Sequence, residues 1–408
     1  MVPKRMRRAL AAGAAAACAV VALSGGVTAN AAPAAEPLAT SGMEALFNNP
    51  PENGDRDHSI ETRLVQLIDA APAGSEIHFS VYSWTRPAAA EALKAAQARG
   101  VKVRIAIDGG ADDDPANTAM PILKSAGLTQ LVFCGTGGTN TGCIAHGGSP
   151  HSINHDKLWM FSETEGKKDV VVIGSHNLTT TQGNLFNNAL LTYGDPDLYG
   201  FYLGHVKKML AQQKDSDYFN DGGYHKSPDS QVTSYLSPRA DSKGGDSEEF
   251  ATDTWAQLLK WITKYESGCA LDVVQANIAD SRTPVVTELA RIAKLGCQVR
   301  IVYGTMEPAA LAALKGKANV TLKRFSTTVN GREISVHSKY MLYRGHYNET
   351  AHRSIVFTGS HNVSGAALRD NDEILVKVEN PAISAAYQDN FATILARAKC
   401  SAPPTGTC

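Results

Sequence analysis

The 408-residue chain lacks any apolar run long enough to span a bilayer. The longest, from Ala9 to about Leu23, is short of the roughly 20 residues a spanning helix needs and is built mostly of weakly hydrophobic alanine. The chain also lacks an excess of charge of either sign. With 39 basic and 40 acidic residues its formal net charge is −1, and no electrostatic footprint for nucleic acid is visible in that balance. It has no Cys-x-x-Cys pair, which removes the commonest zinc-site spacing. What remains is a globular composition, 43% hydrophobic and 19% charged, in a chain long enough for two or three domains.

Residues 1–31 read as a secretory signal peptide. Lys4, Arg5, Arg7 and Arg8 form a basic head, the alanine-rich run follows, and Ala29-Asn30-Ala31 supplies an A-x-A cleavage site. Arg7-Arg8 leaves both general secretion and twin-arginine export open. Cleavage removes four basic residues and no acidic ones, taking the formal charge from −1 to −5. The expected location is extracellular. Six cysteines remain, Cys134, Cys143, Cys269, Cys297, Cys400 and Cys408, and an even count outside the cytoplasm points to disulfides. Local spacing favours Cys134–Cys143 and Cys400–Cys408, which leaves Cys269–Cys297.

An internal repeat organises the rest. Residues 74–82 read as a strand, Pro87 opens an alanine-rich helix, Gly100 stops it, and 101–108 is a second strand. The same order recurs at 268–274, Pro284, Gly296 and 297–303. Proline at a helix start and glycine past its end is the expected asymmetry, and strand–helix–strand implies parallel strands with a crossover. Cys269 and Cys297 open the two strands of the second copy, so a bond between them fits neighbouring strands. Residues 45–50 precede the first copy and 235–239 the second. The expectation is an α/β protein of two homologous halves, 43–224 and 231–400, with mixed, largely parallel sheets sandwiched by helices.

The chemistry lies late in each half. His155-Asp156-Lys157 is followed, after a turn, by Val170-Val171-Val172-Ile173-Gly174-Ser175-His176-Asn177. His337-Ser338-Lys339 is followed by Ile355-Val356-Phe357-Thr358-Gly359-Ser360-His361-Asn362. One His-x-Lys carries no information, but two matched copies with matched followers do. On a strand alternate side chains share a face, so each histidine points the same way as its lysine. In Gly-Ser-His-Asn the chain is expected to leave a strand and enter a helix, whose N-terminus favours an anion. If the halves pack about a pseudo-twofold axis, two histidines, two lysines and two asparagines converge. That cluster suits a phosphodiester: ammonium and amide groups neutralise phosphoryl oxygens, one neutral imidazole attacks phosphorus, and the other, protonated, serves the leaving alkoxide.

The pattern resembles the phospholipase D superfamily, whose signature is a duplicated His-x-Lys with Gly-Ser-x-Asn downstream. The resemblance covers nearly the whole chain after the leader. It implies two phospholipase D-like halves about a pseudo-twofold axis, a phosphohistidine intermediate, no cofactor and no metal. By the family pattern His155 is the nucleophile and His337 the acid, then the base of the second step. Lys157, Lys339, Asn177 and Asn362 hold phosphate, supported by Ser175 and Ser360. Two features depart from the family. Ser162 and Arg344 stand where its longer His-x-Lys-x4-Asp motif has aspartate, a loss shared with tyrosyl-DNA phosphodiesterases. Members also carry a carboxylate that orients a catalytic imidazole. Glu373 matches that spacing, with Asn188 as its counterpart by count, and the sequence leaves open which histidine Glu373 serves.

These features imply a secreted phosphodiesterase of the phospholipase D type. It would hydrolyse or transphosphatidylate glycerophospholipid head groups at a membrane or micelle surface, as a monomer with no obligate protein partner. An extracellular nuclease and a non-catalytic phosphate-binding protein are the alternatives, the first disfavoured by the acidic charge after cleavage. Other residues have simpler readings. Asp108, Asp112, Asp113 and Asp114 read as a solvated acidic loop, His146 and His151 as part of the entrance, and His176 and His361 as candidates for the pocket wall. Trp84 and Trp159 read as core or pocket wall, and Trp255 and Trp261 as one buried helix face.

Overall fold

The computed structural model describes residues 42–112, 117–135, 140–146, 151–241, 250–398 and 400–401. The leader, Asp113, Asp114 and the Cys400–Cys408 pairing lie outside them.

The first half runs β1 (Gly42–Asn48), α1 (Ser59–Asp69), β2 (Glu76–Val81), α2 (Pro87–Ala98), β3 (Lys102–Ile107), α3 (Ala119–Ser125), β4 (Gln130–Phe133), β5 (Lys157–Thr164), β6 (Lys167–Gly174), β7 (Leu185–Tyr193) and α4 (Pro196–Leu210). The second begins with β8 (Tyr224–Lys226), β9 (Val232–Ser237), α5 (Thr254–Lys260), β10 (Ala270–Ile278), α6 (Thr283–Lys294), β11 (Gln298–Met306), α7 (Pro308–Leu314) and β12 (Val320–Arg324). It continues with β13 (Ser326–Val329), β14 (Arg332–Val336), β15 (Lys339–Tyr347), β16 (Thr350–Gly359), α8 (Gly365–Arg369), β17 (Glu373–Val378), α9 (Pro381–Arg397) and β18 (Cys400–Ser401).

The strand orders β4-β3-β2-β5-β6-β7-β1 and β12-β11-β10-β15-β16-β17-β9 repeat one topology. In each, α2 or α6 crosses between parallel neighbours and then a meander returns antiparallel. The sheets are therefore mixed, but antiparallel pairs outnumber parallel ones. The crossover unit read from the sequence accounts for only two strands of each sheet, and the short turns after the His-x-Lys strands force antiparallel pairing. Both crossover helices carry proline in their first turn. Gly100 and Gly296, just beyond them, have φ of +94° and +110°, which disfavours any residue with a Cβ.

Helices α1–α3 cover one face of the first sheet and α5–α7 one face of the second. The other faces meet in a shared core with α4 and α9, where Met160, Phe186 and Tyr202 join the same cluster as Tyr340, Val356 and Tyr387. One contact was absent from the sequence reading. The β13–β14 hairpin of the second half pairs with β7 of the first, parallel, through Ser335↔Leu185 and Val336↔Phe186.

Cys134–Cys143 and Cys269–Cys297 are bonded. The latter joins the starts of β10 and β11 with Cα atoms 4.9 Å apart. Removing it as Cys269→Ser/Cys297→Ser should cost on the order of 2–4 kcal/mol of stability, read as a lower denaturant midpoint. Turnover should not change, because the bond lies at the opposite end of β10 from His337. Trp84, Trp159 and Trp255 are core, whereas Trp261 is 50% exposed. It caps the C-terminus of α5, a helix too short to carry both indoles into the core.

Candidate active site

Both His-x-Lys segments enter their sheets at the C-terminal ends of the parallel strands. Lys157 pairs with Val81 at the end of β2, and Lys339 with Gln275 near the end of β10. Each histidine lies two residues before its strand, and its backbone is held by the opposite half. The His155 N–H donates to the Asp372 carbonyl at 3.0 Å, and the His337 N–H to the Phe186 carbonyl at 2.8 Å.

The side chains cross in the same way. His155 Nδ1 lies 2.7 Å from Glu373 Oε1, and His337 Nδ1 lies 3.0 Å from Asn187 Oδ1. Ser360 Oγ donates to Glu373 Oε2 at 2.5 Å, and Ser175 Oγ to Asn187 Oδ1 at 2.9 Å. Glu373 thus serves His155. Its counterpart is Asn187, not Asn188. The backbone establishes the match: Ser360 exchanges hydrogen bonds with Ile374, and Ser175 with Asn188. The count fails by one because α8 in the second half is matched by a tighter 3₁₀ turn, Thr180–Asn184, in the first. Asn188 instead accepts the Lys339 N–H at 2.9 Å.

Gly174 and Gly359 permit these contacts. A Cβ on Gly359 would lie 2.0 Å from the Ile374 carbonyl oxygen, and one on Gly174 2.8 Å from that of Asn188. The glycine lets each strand press against the next, so that the following serine reaches the orienting residue.

The hydrogen bonds specify the histidine tautomers. Asn187 Nδ2 donates to the Gln182 and Leu185 carbonyls, so its Oδ1 faces His337 and requires Nδ1–H there. An ionised Glu373 imposes the same tautomer on His155. Each ring then has an unprotonated Nε2. Burial, with the Lys157 and Lys339 ammonium groups adding to it, holds His155 well below the ordinary histidine range. His337 is lowered by burial and by the same two lysines, Lys339 first. The Lys339 Nζ sits 3.3 Å from each nitrogen of that ring. Burial pushes Glu373 up to about 7, opposed by His361, Lys157 and Ser360. Both lysines are fully buried. Lys157 donates to the His155 carbonyl at 2.6 Å and Lys339 to that of His337 at 2.9 Å. Burial lowers Lys157 to about 7 and Lys339 in the same direction. The site thus concentrates positive charge in a desolvated place, which an anion would relieve.

Asn177 and Asn362 each keep a buried Oδ1 without a partner among the described residues. Ser175 and Ser360 spend their hydroxyls on Asn187 and Glu373. No helix starts at Gly-Ser-His-Asn: in the second half α8 begins later, capped by Ser364, because the segment is occupied by pairing to β7 or β17. His176 is fully buried with neither ring nitrogen partnered among the described residues, and His361 Nε2 lies 2.9 Å from Ser237 Oγ. Ser162 Oγ accepts the Glu76 N–H, and Arg344 binds the buried Asp272. Both sit far along their strands from the histidines. Asp108 is buried, not solvated. It accepts from Thr141 Oγ1 and from the Gly110 and Asn154 N–H groups, tying down the approach to His155. Tyr82 was not singled out by sequence. Its ring centroid is 5.0 Å from that of His155 and 5.1 Å from Lys157 Nζ. No cluster of metal-ligating side chains occurs among the described residues.

A family model described as cardiolipin synthase, PLD-like domain, matches residues 64–209 and 266–395, more than half of the chain. The chain belongs to that family. Its membership in the phospholipase D superfamily supports a phosphoryl-transfer enzyme. The structures of a phosphatidylserine synthase and a polyphosphate kinase show the same fold. Phosphatidylserine synthase from Haemophilus influenzae has a TM-score of 0.58 at 11% identity, over 88% of this chain and 87% of its own. Polyphosphate kinase from Porphyromonas gingivalis has a TM-score of 0.55 at 14% identity, over 87% of this chain. The match covers 50% of the kinase, so this chain spans about half its length. Nuc of Salmonella typhimurium, a phospholipase D family member, is 25% identical over 42% of this chain and 96% of its own, with a TM-score of 0.32. No curated protein sequence matches the chain.

Proposed function

We propose that the protein is a secreted phosphodiesterase of the phospholipase D type, cleaving the distal phosphodiester of glycerophospholipids through a phosphohistidine. The observation that carries the reading is the crossed pair of imidazoles, one oriented by a carboxylate and the other by a neutral amide. His155 Nε2 attacks phosphorus. The bound phosphate anion opposes the lowering of His337 by burial and the lysines and lets its Nε2 take up a proton; as the bond to the head-group oxygen breaks, His337 gives that proton to the oxygen. Water, or an alcohol, then yields its proton to His337 and attacks the same phosphorus. The P–N bond breaks and its electron pair returns to His155. Lys157, Lys339, Asn177 and Asn362 hold the phosphoryl oxygens, and Ser175 and Ser360 position Asn187 and Glu373. Two lysines so desolvated favour a bound anion and gain most from the transition-state charge.

The leader and the disulfides support an extracellular location. No helix among the described residues is long and apolar enough to cross a membrane, and the enzyme is expected to meet lipid as a monomer at a vesicle or micelle surface. Purified protein with EDTA, mixed phospholipid vesicles and ethanol should yield phosphatidic acid and phosphatidylethanol, identified by mass spectrometry. Absence of both would remove the lipid reading. Cleavage of single-stranded DNA by the same preparation would replace it with nuclease activity.

A further inference from the structure

We propose that Asp372 is a positioning residue for the reaction: it staples the disulfide-closed loop of the first half to the strand that carries Glu373, and so fixes His155 for attack. The inference rests on the reading of His155 as nucleophile.

The two histidines are placed by unequal means. His337 follows β14, a regular strand already paired with β7, so its entry into the site is set by ladder hydrogen bonds. Residues 151–156, which lead to His155, form no strand; their backbone pairing with the opposite half is the isolated β-bridge Asn154↔Asp372, with the Ile153 N–H also donating to Asn371 Oδ1 at 3.4 Å. An irregular segment has no ladder to fix it, so its position depends on individual hydrogen bonds, such as that from the Asn154 N–H to Asp108 in its own half.

Asp372 compensates for this. Its carboxylate is fully buried and accepts three consecutive backbone N–H groups, from Cys143 at 2.6 Å, Ile144 at 3.2 Å and Ala145 at 2.6 Å. Its own N–H donates to the Ile153 carbonyl at 3.0 Å, and its carbonyl accepts the His155 N–H at 3.0 Å. Cys143 is bonded to Cys134 at the end of β4, which anchors the loop to the first sheet. One residue therefore holds the loop on one side and the nucleophile's backbone on the other, while its neighbour Glu373 orients the ring. Successive N–H groups curled around a carboxylate form a concave donor site, and here they oppose the burial that pushes Asp372 up to about 7. The matching position in the first half is Phe186, which has no carboxylate and, beside β14, needs none.

The test uses full-length oxidised protein labelled with ¹⁵N-histidine, and bis(p-nitrophenyl) phosphate as probe. That leaving group needs no proton, so the first step, read as the p-nitrophenol burst alongside kcat, depends on the nucleophile and not on His337. Asp372→Ala should lower kcat on the order of 100-fold, the loss expected from small misplacement of a reacting group. KM should stay within about threefold, because the lysines are untouched. The His155 resonance should lose its Nδ1–H signature. Asp372→Asn, which keeps one acceptor oxygen, should recover part of both. If Asp372→Ala does not fold, Cys134→Ser/Cys143→Ser frees the loop while leaving the carboxylate in place, and should show the same kcat loss and the same resonance change in milder form. Wild-type kcat with an unchanged His155 resonance, in whichever of these variants folds, overturns the proposal. A wild-type protein that turns over no phosphodiester defeats the proposed function instead, and the resonance still decides whether Asp372 holds His155.

Discussion

Replacing His155 by asparagine is expected to lower kcat toward bis(p-nitrophenyl) phosphate by roughly four to six orders of magnitude, the range seen when a covalent nucleophile is removed. KM should change little, because Lys157 and Lys339 remain. The size of the effect follows from what the protein invests in this ring. It is buried, its Nδ1 is held 2.7 Å from Glu373, and Ser360 holds that carboxylate in turn. Burial, reinforced by the two nearby lysines, holds it well below the ordinary histidine range and keeps it neutral. None of these features helps a histidine that only binds. Each favours an Nε2 lone pair aimed at an electrophile.

The same reasoning separates the two imidazoles. His337 leans on an amide, which fixes its tautomer but adds no negative charge. A charge-neutral partner suits a ring that must both release and accept a proton. His337→Asn should therefore still react with a p-nitrophenyl ester, whose leaving group needs no acid, and then stall. Intact mass and peptide mapping should find phosphoryl adduct on His155 and none in the His155 variant. Adduct on residue 337 of a His155 variant would reverse the assignment of roles. More than about 1% residual activity in His155→Asn would remove His155 as nucleophile.

How much of this was legible in the sequence depends on the range of the interaction. The His-x-Lys pairs, the strands that end in Gly-Ser-His-Asn and the crossover units are local patterns, and they appear where their spacing placed them, although no helix opens at Gly-Ser-His-Asn. So does Cys269–Cys297, because cysteines that open adjacent strands must meet. What failed was counting across a loop. Asn188 has the right spacing from Ser175, but the 3₁₀ turn takes one residue fewer than the α8 region, and the side chain that reaches His337 is that of Asn187. The pairing of β14 with β7 and the Asp372 staple were invisible for another reason. Both join residues more than 140 positions apart, and neither leaves a periodic trace in the chain. Trp261 misled because helical spacing marks a face without saying where the helix ends.

The lysines carry the second large effect, and its sign can be worked out. Burial lowers Lys157 from 10.5 to about 7 and depresses Lys339 as well. Between about 7 and 10.5 the unfolded chain holds a proton on residue 157 that the empty folded site does not. Stability of the free protein should therefore rise with pH across that window. An oxyanion reverses the balance by restoring the ammonium form. Tungstate binding should take up protons above about pH 7, seen calorimetrically as a dependence on buffer ionisation enthalpy. The dissociation constant should rise up to about tenfold per pH unit for each lysine involved. Hydrogen bonds to a charged partner contribute about 1.5–3 kcal/mol each. Lys157→Met or Lys339→Met should accordingly weaken tungstate binding by roughly 10- to 100-fold near pH 7, and lower kcat/KM further because charge grows in the transition state. Lys157→Met should also abolish its share of the proton uptake. Uptake that persists unchanged in both single variants would place the titrating group elsewhere, and anion binding independent of pH from 7 to 9.5 would mean that the buried ammonium groups are not what holds phosphate.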